Sequence, residues 1–262
     1  MARYRQPAKA TRCRPPPFRV EAPQNMKPLI VIPARMAATR LPGKPLADIA
    51  GKPMIVRMVE IAVATDLGPV VVAAGDGEIV AAVEAAGGRA VLTDPDLPSG
   101  TDRVFAALRA VGGDHDVIVN LQGDMPTIAP SLVVEAVWAL RDGADIATLV
   151  SPSDAAEDRD NPNVVKAIVA ADGRALYFTR AAAPYGDGPV WRHIGIYVYE
   201  RDALERFVAA APSPLELREK LEQLRALDMG MTIRADVVAD FPKGVDSPAD
   251  LELARRVIRG GN

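Results

Sequence analysis

The sequence contains a single cysteine, Cys13, among its 262 residues. One thiol can form neither a disulfide within the chain nor a metal site built from several cysteines. We therefore expect a reducing, cytoplasmic setting. No apolar run approaches the roughly 20 residues that a membrane-spanning helix needs. The formal net charge of -3 argues against binding nucleic acid through bulk electrostatics.

The sequence also lacks two common glycine-rich phosphate-binding motifs. Neither G-x-x-x-x-G-K-[ST] nor G-x-G-x-x-G occurs. Their absence argues against a P-loop NTPase and against a dinucleotide-dependent dehydrogenase.

Residues 1–25 differ in composition from the rest of the chain. They contain six basic residues, five prolines and one acid, Glu21. No apolar segment follows the basic residues, so we do not expect a secretory signal. We expect residues 1–26 to form a disordered tail or to reflect a mis-assigned start, with Met26 as the true first residue. A basic arm or a transit-like segment is the alternative.

After Met26, short apolar runs alternate with helix-like segments. The predicted strands of the first half are 29–33, 70–74, 89–93 and 117–121, and the predicted helices are 53–65, 77–86, 101–111 and 130–141. This alternation predicts an α/β fold with a parallel sheet flanked by helices. Further strands are predicted at 164–170, 175–179, 193–199 and 232–238. The Asp172-Gly173 turn between the first two of these indicates an antiparallel insertion in the second half.

Two late helices carry start signals. Ser213 is the expected N-cap of the first, and Glu216 closes a capping box. Its predicted apolar stripe consists of Leu217, Leu221 and Leu224, and Gly230 is expected to end it. The second helix is expected to follow the D-S-P sequence at 246–248.

The loop after the first predicted strand, residues 34–46, carries three cations: Arg35, Arg40 and Lys44. In open α/β sheets, ligands bind beyond the carboxyl ends of the strands, where we also expect segments 99–103 and 122–126. Arginine forks and a lysine ammonium suit a phosphate chain, and N–H groups at a helix start add donors. The loop is therefore predicted to bind phosphates, and a basic surface loop is the alternative.

Other candidate residues carry weaker signals. Asp124 and Asp246 each follow a strand-like segment and could share a Mg²⁺ ion with substrate phosphates, or could be turn and cap aspartates. Arg180 ends a predicted strand and could bind a carboxylate through two hydrogen bonds. His193 has either a structural or a functional role. Residues 222–223 lie next to the predicted apolar stripe and could be functional or could form a solvated helix face.

Seven blocks of sequence resemble the 3-deoxy-manno-octulosonate cytidylyltransferase family, also called CMP-Kdo synthetases. The blocks are I-P-A-R-M-A-A-T-R-L-P-G-K-P-L (32–46), S-G-T-D-R (99–103), V-N-L-Q-G-D (119–124), N-P-N-V-V-K (161–166), H-I-G-I-Y (193–197), L-E-Q-L-R (221–225) and G-V-D-S-P (244–248). The resemblance spans about residues 27–258. The last four blocks together are its most specific part.

The resemblance implies a nucleotide-diphospho-sugar-transferase-like fold, with a mixed, mostly parallel sheet flanked by helices and an antiparallel insertion in the second half. It implies one domain over residues 27–262, in which 27–150 mainly bind CTP and 151–240 mainly bind the sugar and form a homodimer. It also implies a reaction for lipopolysaccharide biosynthesis. The anomeric hydroxyl of the acid sugar 3-deoxy-D-manno-octulosonate (Kdo) attacks the α-phosphate of CTP, and CMP-Kdo and pyrophosphate form.

Roles for individual residues follow from the same resemblance. The implied catalytic residues are Arg35, Lys44, Asp124 and Asp246, and the two aspartates would hold Mg²⁺. The residues implied to bind CTP are Ala34, Arg35, Arg40, Lys44, Ser99, Gly100, Thr101, Arg103 and Gln122. The residues implied to bind the sugar are Arg180, His193, Tyr197, Glu222 and Gln223, with Arg180 the best match for its carboxylate.

The sequence departs from the family pattern at Ala38, where serine is common, and at Met125, where glutamate is common. We expect Met125 to pack near the site without changing it. Three alternatives stay open: a cytidylyltransferase for another acid sugar (an 8-amino relative of Kdo or a sialic-type acid), a nucleotidyltransferase for a neutral sugar phosphate or alcohol, and a non-catalytic nucleotide-binding regulator. The regulator would bind CTP without turning it over.

Overall fold

The computed structural model describes residues 26–37 and 41–260. The predictions on residues 1–25, on Ala38 and on Arg40 lie outside the described residues. The strands are β1 Pro28–Ala34, β2 Asp48–Ile49, β3 Lys52–Pro53, β4 Val70–Ala74, β5 Ala90–Leu92, β6 Val117–Leu121, β7 Ile146–Ser153, β8 Lys166–Val169, β9 Ala175–Thr179, β10 Val190–Glu200 and β11 Ile233–Val237. The helices are α1 Met54–Val63, α2 Gly77–Ala85, α3 Gly100–Val111, α4 Pro130–Ala139, α5 Ala156–Asp160, α6 Arg201–Ala209, α7 Pro214–Glu219, α8 Gln223–Asp228 and α9 Pro248–Ile258.

One mixed sheet organises these elements, with the strand order β11-β7-β10-β6-β1-β4-β5. The pairs β1–β4, β1–β6, β4–β5 and β7–β11 are parallel. Strand β10 lies between β6 and β7 and is antiparallel to both. The hairpin β8–β9 joins the sheet through β10. The fold is therefore the predicted α/β class, a mostly parallel sheet with an antiparallel part from the second half.

Both faces of the sheet are covered, which is why its strands are apolar almost throughout. In β1, Ile30 and Ile32 enter the core on one face, while Leu29 and Val31 enter the core on the other. Side chains that alternate between two apolar layers require no polar position in the strand. This double burial fixes the carboxyl end of β1, where the cation-bearing loop begins. No helix of the described residues is long and apolar enough to cross a membrane.

The sequence prediction of one helix from Ser213 to Gly230 is wrong. The capping box of Ser213 and Glu216 is present, but the helix ends early because Lys220 adopts a left-handed conformation with φ 56°. A second helix, α8, then starts at Gln223. The break turns Leu217 out to solvent, with 66% of its surface exposed, while Leu221 and Leu224 stay buried.

Two central elements are missing from the sequence prediction. Strand β7 pairs with both β10 and β11, and helix α6 packs Leu204 and Phe207 into the core. Strand β7 escaped prediction although its run from Ile146 to Val150 is fully buried. Its only polar member, Thr148, hydrogen-bonds the carbonyl oxygens of β10 within the sheet.

Candidate active site

A pocket of about 350 Å³ opens at the carboxyl ends of β1 and β6. It is lined by Pro33, Ala34, Arg35, Ala37, Leu41, Lys44, Pro45, Leu97, Ser99, Gly100, Arg103, Gln122, Gly123, Asp124 and Asp246. The structure thus brings together most residues that were predicted to bind CTP or metal, from four separate segments of the chain. The parallel pairing of β1 with β4 and β6 explains this, because the carboxyl ends of parallel strands meet at one edge.

The loop after β1 is shaped by a tight turn at Gly43. Gly43 has φ 69°, a left-handed conformation that glycine adopts without strain. Its N–H donates to the carbonyl of Met36 at 3.4 Å, and a short 3-10 turn, Lys44–Leu46, follows. The N–H of Met36 donates to Asp76 Oδ2 at 2.7 Å. These contacts hold Lys44 over the end of the sheet.

Lys44 contacts both candidate metal-binding aspartates. Its ammonium Nζ lies 2.9 Å from Asp124 Oδ2 and 3.2 Å from Asp246 Oδ1. Burial alone would lower the pKa of Lys44, but the two carboxylates outweigh burial and raise it. The ammonium is therefore charged at neutral pH. Two carboxylates that are distant in sequence thus converge on one cation, and a metal ion shared by them stays a prediction.

Backbone contacts explain how Asp246 comes to lie beside Asp124. The N–H of Val245 donates to the carbonyl of Asp124 at 2.8 Å. The cap of helix α9 is Ser247, whose hydroxyl accepts from the N–H of Asp250, and Asp250 closes the capping box. The alternative that Asp246 itself caps this helix is therefore wrong. Its carboxylate faces the pocket.

Arg103 supports the pocket from behind. Its side chain is almost completely buried, and its guanidinium donates to Thr93 Oγ1 at 2.5 Å and to the carbonyls of Asp94 and Pro95 at 3.0 and 3.1 Å. Burial, and next the charge of Arg35, lower its pKa. Arg103 thus ties the loop after β5 to helix α3 and adds positive charge to the wall.

Gly75 packs against two residues of the site, Arg35 and Arg103, and the sequence prediction missed it. It follows β4, and its N–H donates to the carbonyl of Ala34 at 2.8 Å. A Cβ atom at this position would lie 2.9 Å from Arg103 Nη1 and 3.2 Å from Arg35 Cβ. Only glycine leaves both arginines in place. A glycine directly after a buried parallel strand was the available signal.

Ser99 and Thr101 were both predicted to bind CTP, and of these two Ser99 is the one that lines the pocket. Ser99 is the N-cap of α3: its hydroxyl accepts from the N–H of Asp102 at 3.1 Å and donates to the Asp102 carboxylate at 2.6 Å. The structure does not place Thr101 with the pocket-lining residues. Its hydroxyl donates to Glu222 Oε2 at 2.6 Å. Met125 is buried in the core, in agreement with a packing role.

The predicted sugar-binding residues of β10 belong to a row of rings. His193 contacts Phe178 edge-on at 5.1 Å between centroids and Tyr197 at 5.2 Å. Its Nε2 lies 2.9 Å from Thr148 Oγ1. An assignment in which the hydroxyl proton of Thr148 goes to the carbonyl of Ile196, 2.7 Å away, leaves the ring proton of His193 on Nε2. Nδ1 is then the acceptor of the neutral ring.

His193 yields a prediction for stability. Burial lowers its pKa to about 3 from 6.5. Between these values the unfolded state binds more protons than the folded state, so this stability is complete above the unfolded pKa and is lost as the pH falls towards 3. Between about pH 7 and pH 5, we expect the free energy of unfolding to fall by about 2 kcal/mol less in His193→Gln than in the parent protein.

Urea unfolding curves at the two pH values measure this difference. The matched control is His115→Gln, which removes the other histidine. If His193→Gln loses as much stability on acidification as the parent, another group causes the loss.

Arg180 is engaged with backbone carbonyl groups. Its guanidinium donates to Glu219 O and Pro162 O, both at 2.9 Å, and to Lys220 O at 3.4 Å. The buried ammonium of Lys166 donates to three further carbonyls, including that of Arg180 at 2.9 Å. The two cations join the 161–164 loop to the end of α7. Arg180 as a carboxylate ligand stays a prediction.

Glu222 and Gln223 do not form a solvated helix face. Gln223 is only 4% exposed, and its buried Nε2 has no hydrogen-bond partner within the part of the chain that the structure describes. A buried unpaired amide is costly. The position of α8 is fixed by Arg225, which donates to both carboxylate oxygens of Glu216 at 2.7 and 2.6 Å. A ligand acceptor at Gln223 would remove the cost of the unpaired amide.

Comparisons with known proteins show what this chain is similar to. Residues 29–233 match a family model described as Cytidylyltransferase. A 3-deoxy-manno-octulosonate cytidylyltransferase of Parvibaculum lavamentivorans (strain DS-1) is 60% identical over 238 residues, which are 88% of this chain and 92% of the relative. A protein of the same name from Rhodospirillum centenum (strain SW) is 58% identical over 245 residues, 90% of this chain and 95% of the relative.

Solved structures show the same likeness. The structure of CMP:2-keto-3-deoxy-manno-octonic acid synthetase complexed with CTP has a TM-score of 0.84 and 41% identity, and covers 89% of this chain and 99% of its own. A 4-diphosphocytidyl-2C-methyl-D-erythritol synthase from Anaerococcus prevotii has a TM-score of 0.62 at 11% identity, with 89% and 99% covered. At that identity the second likeness concerns the fold alone.

Proposed function

The chain belongs to the 3-deoxy-manno-octulosonate cytidylyltransferase family, and on this premise we propose that it transfers the cytidylyl group of CTP to Kdo. The oxygen of the sugar's anomeric hydroxyl forms a bond to the α-phosphorus, and the bond from that phosphorus to the bridging oxygen breaks. Pyrophosphate leaves with the electron pair, and the hydroxyl proton passes to solvent. The products are CMP-Kdo and pyrophosphate.

The observation that carries this proposal is the convergence of Lys44, Asp124 and Asp246 in the pocket after β1. Phosphoryl transfer of this kind depends on placing reactants and neutralising charge rather than on a covalent protein intermediate. Lys44 and Arg35 would neutralise the charge that develops on the leaving pyrophosphate. The edge of the parallel sheet holds Lys44 and Arg35 in place, so neither side chain would need to reorganise during the reaction.

We propose Mg²⁺ as the cofactor, held by Asp124 and Asp246. Magnesium is usually bound by one or two carboxylates together with substrate phosphates. The proposed pair of aspartates would therefore be completed by the phosphates of CTP. When bound, the ion would polarise the α-phosphate and orient the sugar hydroxyl.

The sugar would bind beside the nucleotide, against α8 and β10. Arg180, His193, Tyr197, Glu222 and Gln223 come from these elements and from the end of β9. The neutral ring of His193 offers an acceptor to a sugar hydroxyl, and the buried amide of Gln223 offers a donor. The partly exposed guanidinium of Arg180 would bind the carboxylate of an acid sugar.

The finer parts of the proposal concern the protein's setting. We propose a cytoplasmic homodimer that acts in lipopolysaccharide biosynthesis. The single cysteine supports the cytoplasmic setting. Exposed apolar side chains of the second half, Leu176, Tyr185 and Leu217, support the dimer. Sedimentation equilibrium tests the dimer: a mass of one chain at all concentrations would contradict it.

Pyrophosphate release tests the function itself. The full chain is incubated with CTP, Mg²⁺ and Kdo, and three controls each lack one component. Release that requires both CTP and Kdo supports the proposal. Release with an 8-amino relative of Kdo or a sialic-type acid, but not with Kdo, would keep the chemistry and change the substrate. CTP binding without release for any acceptor would indicate the regulator.

A further inference from the structure

Thr101 is turned away from the nucleotide pocket although its neighbours line it. Ser99, Gly100 and Arg103 all line that pocket, whereas Thr101 is 1% exposed and is not among the lining residues. It is the second residue of α3, and its Oγ1 donates to Glu222 Oε2 at 2.6 Å. This contact joins the start of α3 to the start of α8. The two residues are 121 positions apart in the sequence.

The direction of this hydrogen bond follows from the groups involved. An ionised carboxylate only accepts hydrogen bonds, so the single hydroxyl proton of Thr101 goes to Glu222. The hydroxyl oxygen is then an acceptor, and Asn120 Nδ2 lies 3.4 Å from it. Asn120 is fully buried on β6, and its Oδ1 accepts from Gln122 Nε2 at 3.1 Å. Gln122 lines the nucleotide pocket.

The four side chains therefore form one directed chain of hydrogen bonds, from Gln122 through Asn120 and Thr101 to Glu222. Buried networks of this kind fix the orientation of their members, because a broken bond leaves a buried polar group unpaired. Arg225, the nearest arginine along α8, does not take over this role, because its guanidinium is bound to Glu216. Within the described residues, Thr101 is the hydrogen-bond donor to the Glu222 carboxylate.

We propose that Thr101 is a positioning residue that sets the orientation of Glu222 for the sugar and does not itself contact the nucleotide. This inference rests on the proposed function, in which Glu222 faces the acid sugar. With the hydrogen bond in place, one carboxylate oxygen is held by α3 and the other is presented to sugar hydroxyls. Without it, the carboxylate can rotate, and the sugar must bind to a group that is not preorganised.

The test compares Thr101→Val, which keeps the shape and removes the hydroxyl, with Thr101→Ser, which keeps the hydroxyl. Steady-state pyrophosphate release with full-length protein gives KM for Kdo and for CTP separately. Because a hydrogen bond to a charged group contributes on the order of a tenfold change in an equilibrium constant, we expect Thr101→Val to raise KM for Kdo by about tenfold. Thr101→Ser should have a KM for Kdo close to that of the parent protein.

CTP affinity is measured independently by calorimetry in the absence of sugar, and it should change by less than about twofold in both variants, the scale of a lost remote contact. Thr65→Val is the matched control: it removes a hydroxyl that donates to the carbonyl of Ala62 in α1, and both KM values should stay unchanged. Melting temperatures of all variants separate a folding defect from a binding defect.

Several outcomes would overturn the inference. A weaker CTP affinity in Thr101→Val with an unchanged KM for Kdo would make Thr101 a nucleotide contact. Unchanged values for both substrates, or a Thr101→Ser variant as impaired as Thr101→Val, would show that the hydrogen bond to Glu222 has no positioning role. If the parent protein itself does not turn over Kdo, the proposed function fails, and this inference fails with it. Normal turnover of Kdo by the parent isolates a failure to Thr101.

Discussion

Replacing Lys44 with alanine is expected to lower kcat/KM by about 100-fold or more, the scale of losing one preorganised charge contact in a site of this type. The ammonium is held in place before substrate arrives, by two carboxylates and by the turn at Gly43. We expect this charge to meet the pyrophosphate that develops as the P–O bond breaks. Steady-state pyrophosphate release with varied CTP measures the effect.

The control for Lys44→Ala is Lys52→Ala. Lys52 is an exposed lysine on β3 that pairs with Glu60, and exposed pairs of this kind contribute little. We expect its kcat/KM to change by less than about twofold. Near-normal turnover in Lys44→Ala would remove Lys44 from the mechanism. In Lys44→Ala the two aspartates lose a shared cation, so the fold itself is also tested. The unfolding curve of the variant distinguishes a folding defect from a loss of catalysis.

The sequence predicts the pocket better than it predicts the side chains that support it. Loops 34–46, 99–103 and 122–126 could be placed together because each follows an apolar strand, and parallel strands put their carboxyl ends at one edge. That inference needs only the order of the elements. The convergence of Lys44 with Asp124 and Asp246 confirms the placement, while their chemical roles stay predictions.

The second half was harder to predict because long-range packing, not local pattern, decides it. Lys220 has no sequence signal for a left-handed conformation, yet it ends α7 and exposes Leu217. The sequence indicates a surface position for Gln223, but the residue is buried. The hydrogen bonds between Arg225 and Glu216 hold α8 against the core. Local periodicity cannot report a contact between helices that only tertiary packing creates.

Thr101 shows the same limit within a block that was correctly recognised. Its neighbours Ser99 and Gly100 line the pocket, and the family resemblance implied that all three bind CTP. A helix start rotates successive side chains by about 100°, and this rotation sends Thr101 towards Glu222 instead. Thr101 therefore contacts Glu222 and is not among the residues that line the pocket beside it.

Replacing Asp124 with asparagine should lower turnover by about 100-fold and raise the half-saturating Mg²⁺ concentration at the same time, since the ion stabilises several kcal/mol of transition-state charge. Asparagine keeps the size of the side chain and one oxygen but removes the charge that a hard cation prefers. Pyrophosphate release is measured across a Mg²⁺ titration. Asp142→Asn is the control, because Asp142 is exposed and has φ 58°, which asparagine tolerates.

Unchanged Mg²⁺ dependence in Asp124→Asn would move the metal away from this pair. The double variant Lys44→Ala/Asp124→Asn then distinguishes one shared site from two independent ones. Lys44 and Asp124 are in direct contact, so their effects should not add. If the ammonium of Lys44 and the metal ion at Asp124 act on the charge of the same phosphates, the loss of turnover in the double variant is smaller than the product of the two single losses. A full product would mean that the ammonium and the metal ion act on different parts of the reaction.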